Sequence, residues 1–445
     1  MFNLKFLGKT RIPHRKNTSG TQPIKMTPPA EVIIPLSQHI GAPATAVVKV
    51  GDEVKVGQLI AEAAGYVSSP IYSSVSGKVT KIESYLKSNG KEVSAIRILS
   101  DGLMEICDTV VPPVITDAKS LSEAVRNSGA VGLGGAGFPT AIKFDALEKF
   151  EIDTVIINGA ECEPYITVDE STMLNDSISV FEGISLLKKF YPNVKKYIFG
   201  IEKNKPECIK EIARIFADDP SVSVIPLPTL YPQGAEKVLI YNTVGLTVEE
   251  GKLPQDAGIV VMNVSTLAFV AQYVKTGMPL VEKCVTVDGS AIKEPKNVIC
   301  PIGTSVNDVI SFAGGFSCKA GKILVGGPMT GTALCSLDEP VEKTNGAIIA
   351  LSEKESKPKQ TTACIHCGKC VEACPVFLNP TAFSAALNSE NADDQAAKLE
   401  NARINLCVEC GCCSFVCPAG RPVLENIRIA KNSLKEYKAH KSTLK

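Results

Sequence analysis

The 445-residue chain lacks a net charge, since 47 basic residues stand against 47 acidic ones. That balance gives no bulk electrostatic pull toward nucleic acid. No apolar run reaches the roughly 20 residues that a membrane-spanning helix needs, and no secretory leader is read at the start. Acidic residues are missing altogether from residues 1–30, where Lys5, Lys9, Arg11, Arg15, Lys16 and Lys25 stand. The segment 429–445 is nearly as one-sided, with Lys431, Lys435, Lys438, Lys441 and Lys445 against Glu436. Both ends are expected to be basic, solvated and partly disordered tails, with docking onto a membrane surface or an acidic partner as the functional alternative.

Cysteine is abundant instead, at 16 residues. Two runs share one spacing, C-x2-C-x2-C-x3-C-P: Cys364, Cys367, Cys370 and Cys374, then Cys407, Cys410, Cys413 and Cys417. This is the run that holds [4Fe-4S] clusters in two-cluster ferredoxins, where the thiolate ahead of proline turns toward the other cluster. By that logic Cys364, Cys367, Cys370 and Cys417 hold one cluster, and Cys407, Cys410, Cys413 and Cys374 hold the other. Structural zinc is the plainer alternative for C-x2-C pairs, but identical runs of three cysteines plus a prolyl fourth suit cubanes better. Cys412 falls off the spacing and reads as a non-ligand beside a cluster. The use of eight cysteines as ligands implies a reducing, cytoplasmic compartment rather than a disulfide scaffold. Cys107, Cys162, Cys208, Cys284, Cys300, Cys318 and Cys335 read as small buried residues, with Cys162 the one to watch.

The length allows about three domains. After a basic arm (1–30), residues 31–105 show short β-branched segments punctuated by Gly, Pro and Ser, as an all-β domain does. The phrase around Gly51, Asp52 and Gly57 and the later Ser76-Gly77-Lys78-Val79 resemble the two hairpins of biotinyl and lipoyl carrier domains. No lysine lies between Lys55 and Lys78 to carry a cofactor, so a barrel-sandwich scaffold or contact surface without a swinging arm is expected. Residues 116–281 alternate apolar strands with helices, which indicates an α/β layer with a largely parallel sheet. A small α+β module (282–350), a polar linker (351–362), the α-helical two-cluster ferredoxin domain (363–428) and a basic tail (429–445) complete the chain.

Gly132, Gly134, Gly135 and Gly137 precede Phe138-Pro139 and Lys143 in a segment that contains a literal G-x-G-x-x-G. The preceding residues look helical, so the order helix, loop, helix, strand departs from a Rossmann turn. Consecutive glycines still let backbone N–H groups approach a phosphate, and a helix start favours anions. Downstream, Asn158 ends a strand and Glu161 and Glu163 follow, where α/β ligands bind. Such carboxylates suit ribose or ribityl hydroxyls. A glycine-rich connector and a solvated acidic loop are the plainer readings of the two elements.

The segments 132–143, 158–164, 231–237 and 263–267 together resemble, in order and spacing, the flavin-carrying NADH-binding subunit of respiratory complex I. With the carrier-like domain ahead and two ferredoxin runs behind, the chain is similar to the C subunits of Rnf complexes, ion-translocating ferredoxin:NAD+ oxidoreductases. The segments 13–17 and 34–43 are similar to that family too. The resemblance implies a multidomain α/β protein with a noncovalent FMN, the glycine loop and Lys143 near its phosphate, and Asn158, Glu161, Glu163, Asn263 and Thr266 in contact with it. Phe138 and Glu163 would meet the nicotinamide of NADH. The module 282–350 would be a β-grasp, soluble-ligand-binding domain. Ala160 stands where the complex I segment has an acidic residue, so that flavin contact is absent or altered. The implied activity is hydride exchange between FMN and NAD(H), with single-electron relay through two [4Fe-4S] clusters. The implied partners are integral membrane subunits that move Na+ or H+ and a ferredoxin-like iron-sulfur subunit, and the implied location is peripheral, on the cytoplasmic face of the bacterial membrane. Two rivals are a microcompartment cobalamin reductase, whose carrier-like domain is expected after the ferredoxin domain, and a nonenzymatic electron-wiring subunit with a vestigial flavin pocket.

Overall fold

The computed structural model describes Leu7 and residues 10–443. Lys5, Lys9 and Lys445 lie outside the described residues. Among the described residues no helix is long and apolar enough to cross a membrane.

Residues 31–105 form two small sheets face to face. One has the strand order Glu31–Pro35, Glu92–Ser100, Gly77–Leu86, Glu53–Val54, and the other has Thr45–Ala46, Leu59–Glu62, Ile71–Tyr72. Their inner faces bury Val32, Ile34, Ile60, Ile96 and Ile98 completely, which a half-buried alternating pattern dictates. Gly77, in the carrier-like motif, has φ +149°, and a Cβ there would lie 2.0 Å from the Leu99 carbonyl oxygen. Only glycine fits this strand crossing.

The α/β layer is a four-stranded parallel sheet in the order Val222–Leu227, Lys196–Glu202, Thr154–Gly159, Ile259–Asn263. Thr154–Gly159 is nearly all buried, as a central parallel strand must be. The chain leaves it on one side for Lys196–Glu202 and returns on the other as Ile259–Asn263. Asn158 and Asn263 are register partners at the carboxyl ends of those two strands, at the point of reversal where open α/β sheets bind ligands. Ahead of the sheet, helix Ala118–Asn127, the glycine loop and helix Thr140–Lys149 follow in the expected order.

The third module is a six-stranded mixed sheet with helix Val306–Phe312. Its edge strand is Ile24–Lys25 of the basic arm, paired parallel with Val298 and Ile299. From Thr10 onward the arm is anchored: Thr10 bridges to Tyr231, and Ile12 and Thr18 are buried. The far end differs from expectation in the same way. Helix Val423–Thr443 runs through the basic segment, and Ile427, Ala430 and Leu434, spaced along one face, are buried against the cluster domain. Apolar anchors outweighed the solvation of the lysines between them. The linker holds one helical turn, Glu353–Ser356.

Candidate functional site

The cluster domain brings its thiols together in two groups. Cys364, Cys367, Cys370 and Cys417 line a cavity of about 260 Å³. Cys374, Cys407, Cys410 and Cys413 line a second, tighter one together with Cys412. Each group is three thiols from one run plus the prolyl cysteine of the other. Burial pushes Cys370, Cys374 and Cys407 up and Cys413 up to about 12, so metal binding must displace their protons. Cys412 is buried, and its hydrogen bond to Cys410 lowers the pKa of that thiol.

A third cavity, of about 410 Å³, lies at the carboxyl ends of the parallel sheet. Gly132, Gly134, Gly135, Phe138, Lys143, Asn158, Glu161, Glu163, Asn263 and Thr266 all line it. Gly137 does not appear in its wall; it closes the loop, its N–H donating to Gly132 O (3.3 Å) and its carbonyl accepting from Ile40 N (2.9 Å).

Each wall is fixed by local bonding. Asn263 caps helix Val264–Thr276 by accepting from Thr266 N at 3.1 Å, and its Nδ2 donates to Asp169 at 2.8 Å. Thr266 Oγ1 accepts from Leu133 N at 3.0 Å, which ties the glycine loop to the strand end. A Cβ on Gly134 would come within 2.9 Å of Asn263 Nδ2, so a side chain there would push against the Asn263 amide. Lys143 Nζ donates to Val261 O at 2.6 Å and lies 3.6 Å from Glu236. Asn158 donates to Gly234 O at 3.0 Å.

The two carboxylates are held differently. Glu161 accepts from the amides of Asp169 (2.6 Å) and Glu170 (3.2 Å), satisfying free N–H groups in the first turn of helix Val168–Asn175. Removal from bulk solvent pushes its pKa up to about 8. Glu163 accepts from Tyr231 OH, Met329 N and Thr330 Oγ1 at 3.2, 3.1 and 2.6 Å, and burial raises it as well. It therefore joins the acidic loop to the β-grasp module.

Several wall residues escape the motifs. Gly326, Gly327, Thr330 and Thr344 come from the β-grasp module, and Val408 and Cys410 from the cluster domain. Beneath the acidic loop, Lys16 Nζ donates to Glu161 O (2.9 Å) and Glu163 O (2.8 Å), and buried Lys205 donates to Ala160 O (2.7 Å). No spacing marks either lysine. Cys162 accepts from Gly234 N at 3.3 Å and packs near Tyr231, Cys410 and Cys412. Of the other cysteines, Cys208 and Cys300 are buried, but Cys318 and Cys335 are exposed, unlike the expectation.

These features define a class: an electron-transfer protein that joins a flavin-type α/β cavity to a two-cluster ferredoxin domain. Family models match in the same order, with the RnfC barrel sandwich hybrid domain over residues 4–103, the Nuo51 FMN-binding domain over 125–272, the SLBB domain over 284–333 and the 4Fe-4S dicluster domain over 360–421. The chain is 42% identical to the C subunit of the proton-translocating ferredoxin:NAD(+) oxidoreductase complex of Clostridium ljungdahlii, over 85% of this chain and 83% of that protein. It is likewise 42% identical to the Na(+)-translocating counterpart of Acetobacterium woodii, over 84% and 85%. The chain belongs to the family of C subunits of ion-translocating ferredoxin:NAD(+) oxidoreductase complexes. The crystal structure of an NAD+-reducing [NiFe]-hydrogenase in its H2-reduced state shares the fold, with TM-score 0.51 and 21% identity, over 72% of this chain and 63% of that one.

Proposed function

We propose that this chain is the NAD(H)-reactive electron-transfer subunit of a membrane-bound ferredoxin:NAD+ oxidoreductase that couples electron flow to ion translocation. The observation that carries the reading is a single cavity walled by the glycine loop, the acidic loop and the Asn263 helix start, and also by Val408 and Cys410 of the cluster domain. When bound, FMN supplies hydride exchange with NAD(H) and single-electron exchange with the two [4Fe-4S] clusters.

The residues present fit these groups. Gly132, Gly134 and Gly135 leave backbone open to an anionic phosphate, with Lys143 one turn into the next helix as the cation. Asn158 and Asn263 at the strand ends and Thr266 in the helix that follows are held by their bonds in the wall that would meet the ribityl chain and ring. Glu161 positions Asp169, which in turn holds Asn263. Phe138 and Glu163, both in the cavity wall, are the candidate contacts of a nicotinamide ring. Cys410 makes the set with Cys374, Cys407 and Cys413 the nearer cluster site to this cavity, and leaves the set with Cys367, whose thiol is exposed, facing outward to a partner. The partners of this reading are integral membrane subunits and a ferredoxin-like iron-sulfur subunit, and the chain sits peripherally on the cytoplasmic face of the membrane.

The test is an anaerobic NADH titration of the reconstituted, FMN-supplemented protein, following flavin and cluster absorbance together. Both should bleach in the wild type, and Cys410→Ala should keep flavin bleaching while losing onward reduction of the clusters. Flavin colour that survives excess NADH would overturn the reading in favour of an electron-wiring subunit.

A further inference from the structure

Leu133 stands between Gly132 and Gly134 in the glycine loop, and both of its backbone groups are held from outside that loop. Its N–H donates to Thr266 Oγ1 at 3.0 Å, and its carbonyl accepts from Lys283 Nζ at 2.8 Å. Lys283 is the second residue of strand Glu282–Asp288 in the β-grasp module, and it is only 3% exposed. It lines a cavity of about 520 Å³ that Leu133 also borders, but Gly132, Gly134 and Gly135 do not. Those glycines face the flavin cavity, which Leu133 borders as well. Leu133 therefore lies in the partition between the two volumes, with its carbonyl turned to the Lys283 side.

In a planar trans peptide the N–H of one residue points opposite to the carbonyl of the residue before it. The bond from Lys283 to Leu133 O thus sets the direction of the Gly134 N–H, away from Lys283 and toward the flavin cavity. Among the described residues that N–H has no hydrogen-bond partner, so it is free to donate to a ligand. An ammonium on the carbonyl side also polarises the peptide and strengthens its N–H as a donor. Burying a cation is costly unless its charge is met, and Lys283 makes no ion pair among the described residues. Asp169 attracts it through space, yet both oxygens of that carboxylate are taken by Asn263 and Ser265. Burial lowers the lysine to about 8, so it keeps its proton at neutral pH. Packing alone would be served at lower cost by a hydrocarbon side chain.

We infer that Lys283 is a positioning residue for the flavin phosphate: by holding the Leu133 carbonyl it turns the Gly134 N–H toward that phosphate, and so favours FMN over the unphosphorylated flavin. The inference rests on the reading of the cavity at the strand ends as the FMN site. It gives the β-grasp module a part in both rims of that cavity. Lys283 holds the glycine loop, while Met329 N and Thr330 Oγ1 of the same module hold Glu163 in the acidic loop.

The experiment is a calorimetric titration of the full chain, freed of flavin and with its clusters in place, using FMN and riboflavin as the two probes. Lys283→Met should bind FMN about tenfold more weakly, the size of one charge-assisted contact, and riboflavin as tightly as the wild type does. Lys283→Arg, which keeps a charged donor, should recover most of the FMN affinity. Lys283→Gln keeps a polar group in the buried position but falls short of Leu133 O, and it replaces the methionine variant, with the same expected result, should that one fail to fold. Equal losses with both flavins would overturn the inference and make Lys283 a support of the fold alone, and an unchanged FMN affinity would overturn it too. Failure of the underlying reading looks different: the wild type itself would then bind FMN no more tightly than riboflavin.

Discussion

Lys16 shows how a single side chain sets the shape of the acidic loop. Residues 158–166 turn sharply: Glu161 has φ +45° and Tyr165 φ +70°, conformations that non-glycine residues adopt at a cost of about 1 kcal/mol or more each. The turn aims the carbonyls of Glu161, Glu163 and Ile166 at one point, which the Lys16 ammonium occupies. Lys205 does the same for Ala160 from the other side, and its charge lies 3.6 Å from buried Glu202. Lys16→Met keeps the apolar stem and leaves those carbonyls unpaired. At about 1 kcal/mol for each, the loss is about 3 kcal/mol, or roughly 6–12 °C in thermal midpoint for a unit of this size. Anaerobic thermal melts and FMN content measured together should both fall, while the cluster absorbance persists. An unchanged midpoint with full FMN content would show that the loop holds its shape without the arm.

At the scale of elements, the parallel strands and the cysteine runs were legible because each rests on local chemistry: buried strands need continuous apolar runs, and cubane ligation needs fixed spacing. The same holds for most of the cavity wall, since glycines, Asn158 and Asn263 sit at loop and strand ends that sequence pattern marks. What pattern does not mark is contact between distant modules. Gly326, Thr330 and Thr344 reach the cavity only through the β-grasp fold, and Lys16 only because its arm joins the sheet at Ile24–Lys25. Basic composition misled at both ends, where the lysines are spaced among anchors such as Ile12 and Leu434. The C-terminal helix Val423–Thr443 makes that point testable. Its Lys431 donates to Cys407 O at 2.7 Å and pairs with Glu409 at 2.7 Å, fixing the backbone of the cluster run, where Glu409 has φ +52°. Lys431→Ala should leave helix content unchanged by circular dichroism but speed chelator-trapped iron release from one of the two clusters by several-fold. Equal release rates in variant and wild type would reduce the helix to a covering layer.

The whole molecule is joined at Lys343. Its side chain is fully buried where three modules meet, and its Nζ donates to Pro70 O of the barrel-sandwich domain at 2.7 Å, to Gly129 O of the α/β domain at 2.8 Å and, at 3.5 Å, to Ser69 Oγ. Its own N–H donates to Gln38 at 3.0 Å. Burial lowers its pKa to about 7. His39 lies close enough for the lysine charge to lower its pKa too, burial being the larger cause. In the unfolded chain the lysine titrates near its ordinary value of about 10.4. Between about pH 7 and pH 10 the unfolded chain thus holds a proton that the folded one does not, so this group's contribution to stability rises with pH across that window and is lowest below it. Lys283, buried and lowered to about 8, adds a dependence of the same sign. Melts of the wild type and Lys343→Met between about pH 6 and pH 9 should therefore diverge in favour of the wild type as pH rises, by at most about 1.4 kcal/mol per unit. A difference that stays constant with pH would mean that Lys343 keeps its charge among three modules at every pH. Thr344, the next residue, lines the flavin cavity, so the junction stands one residue from a wall of the site.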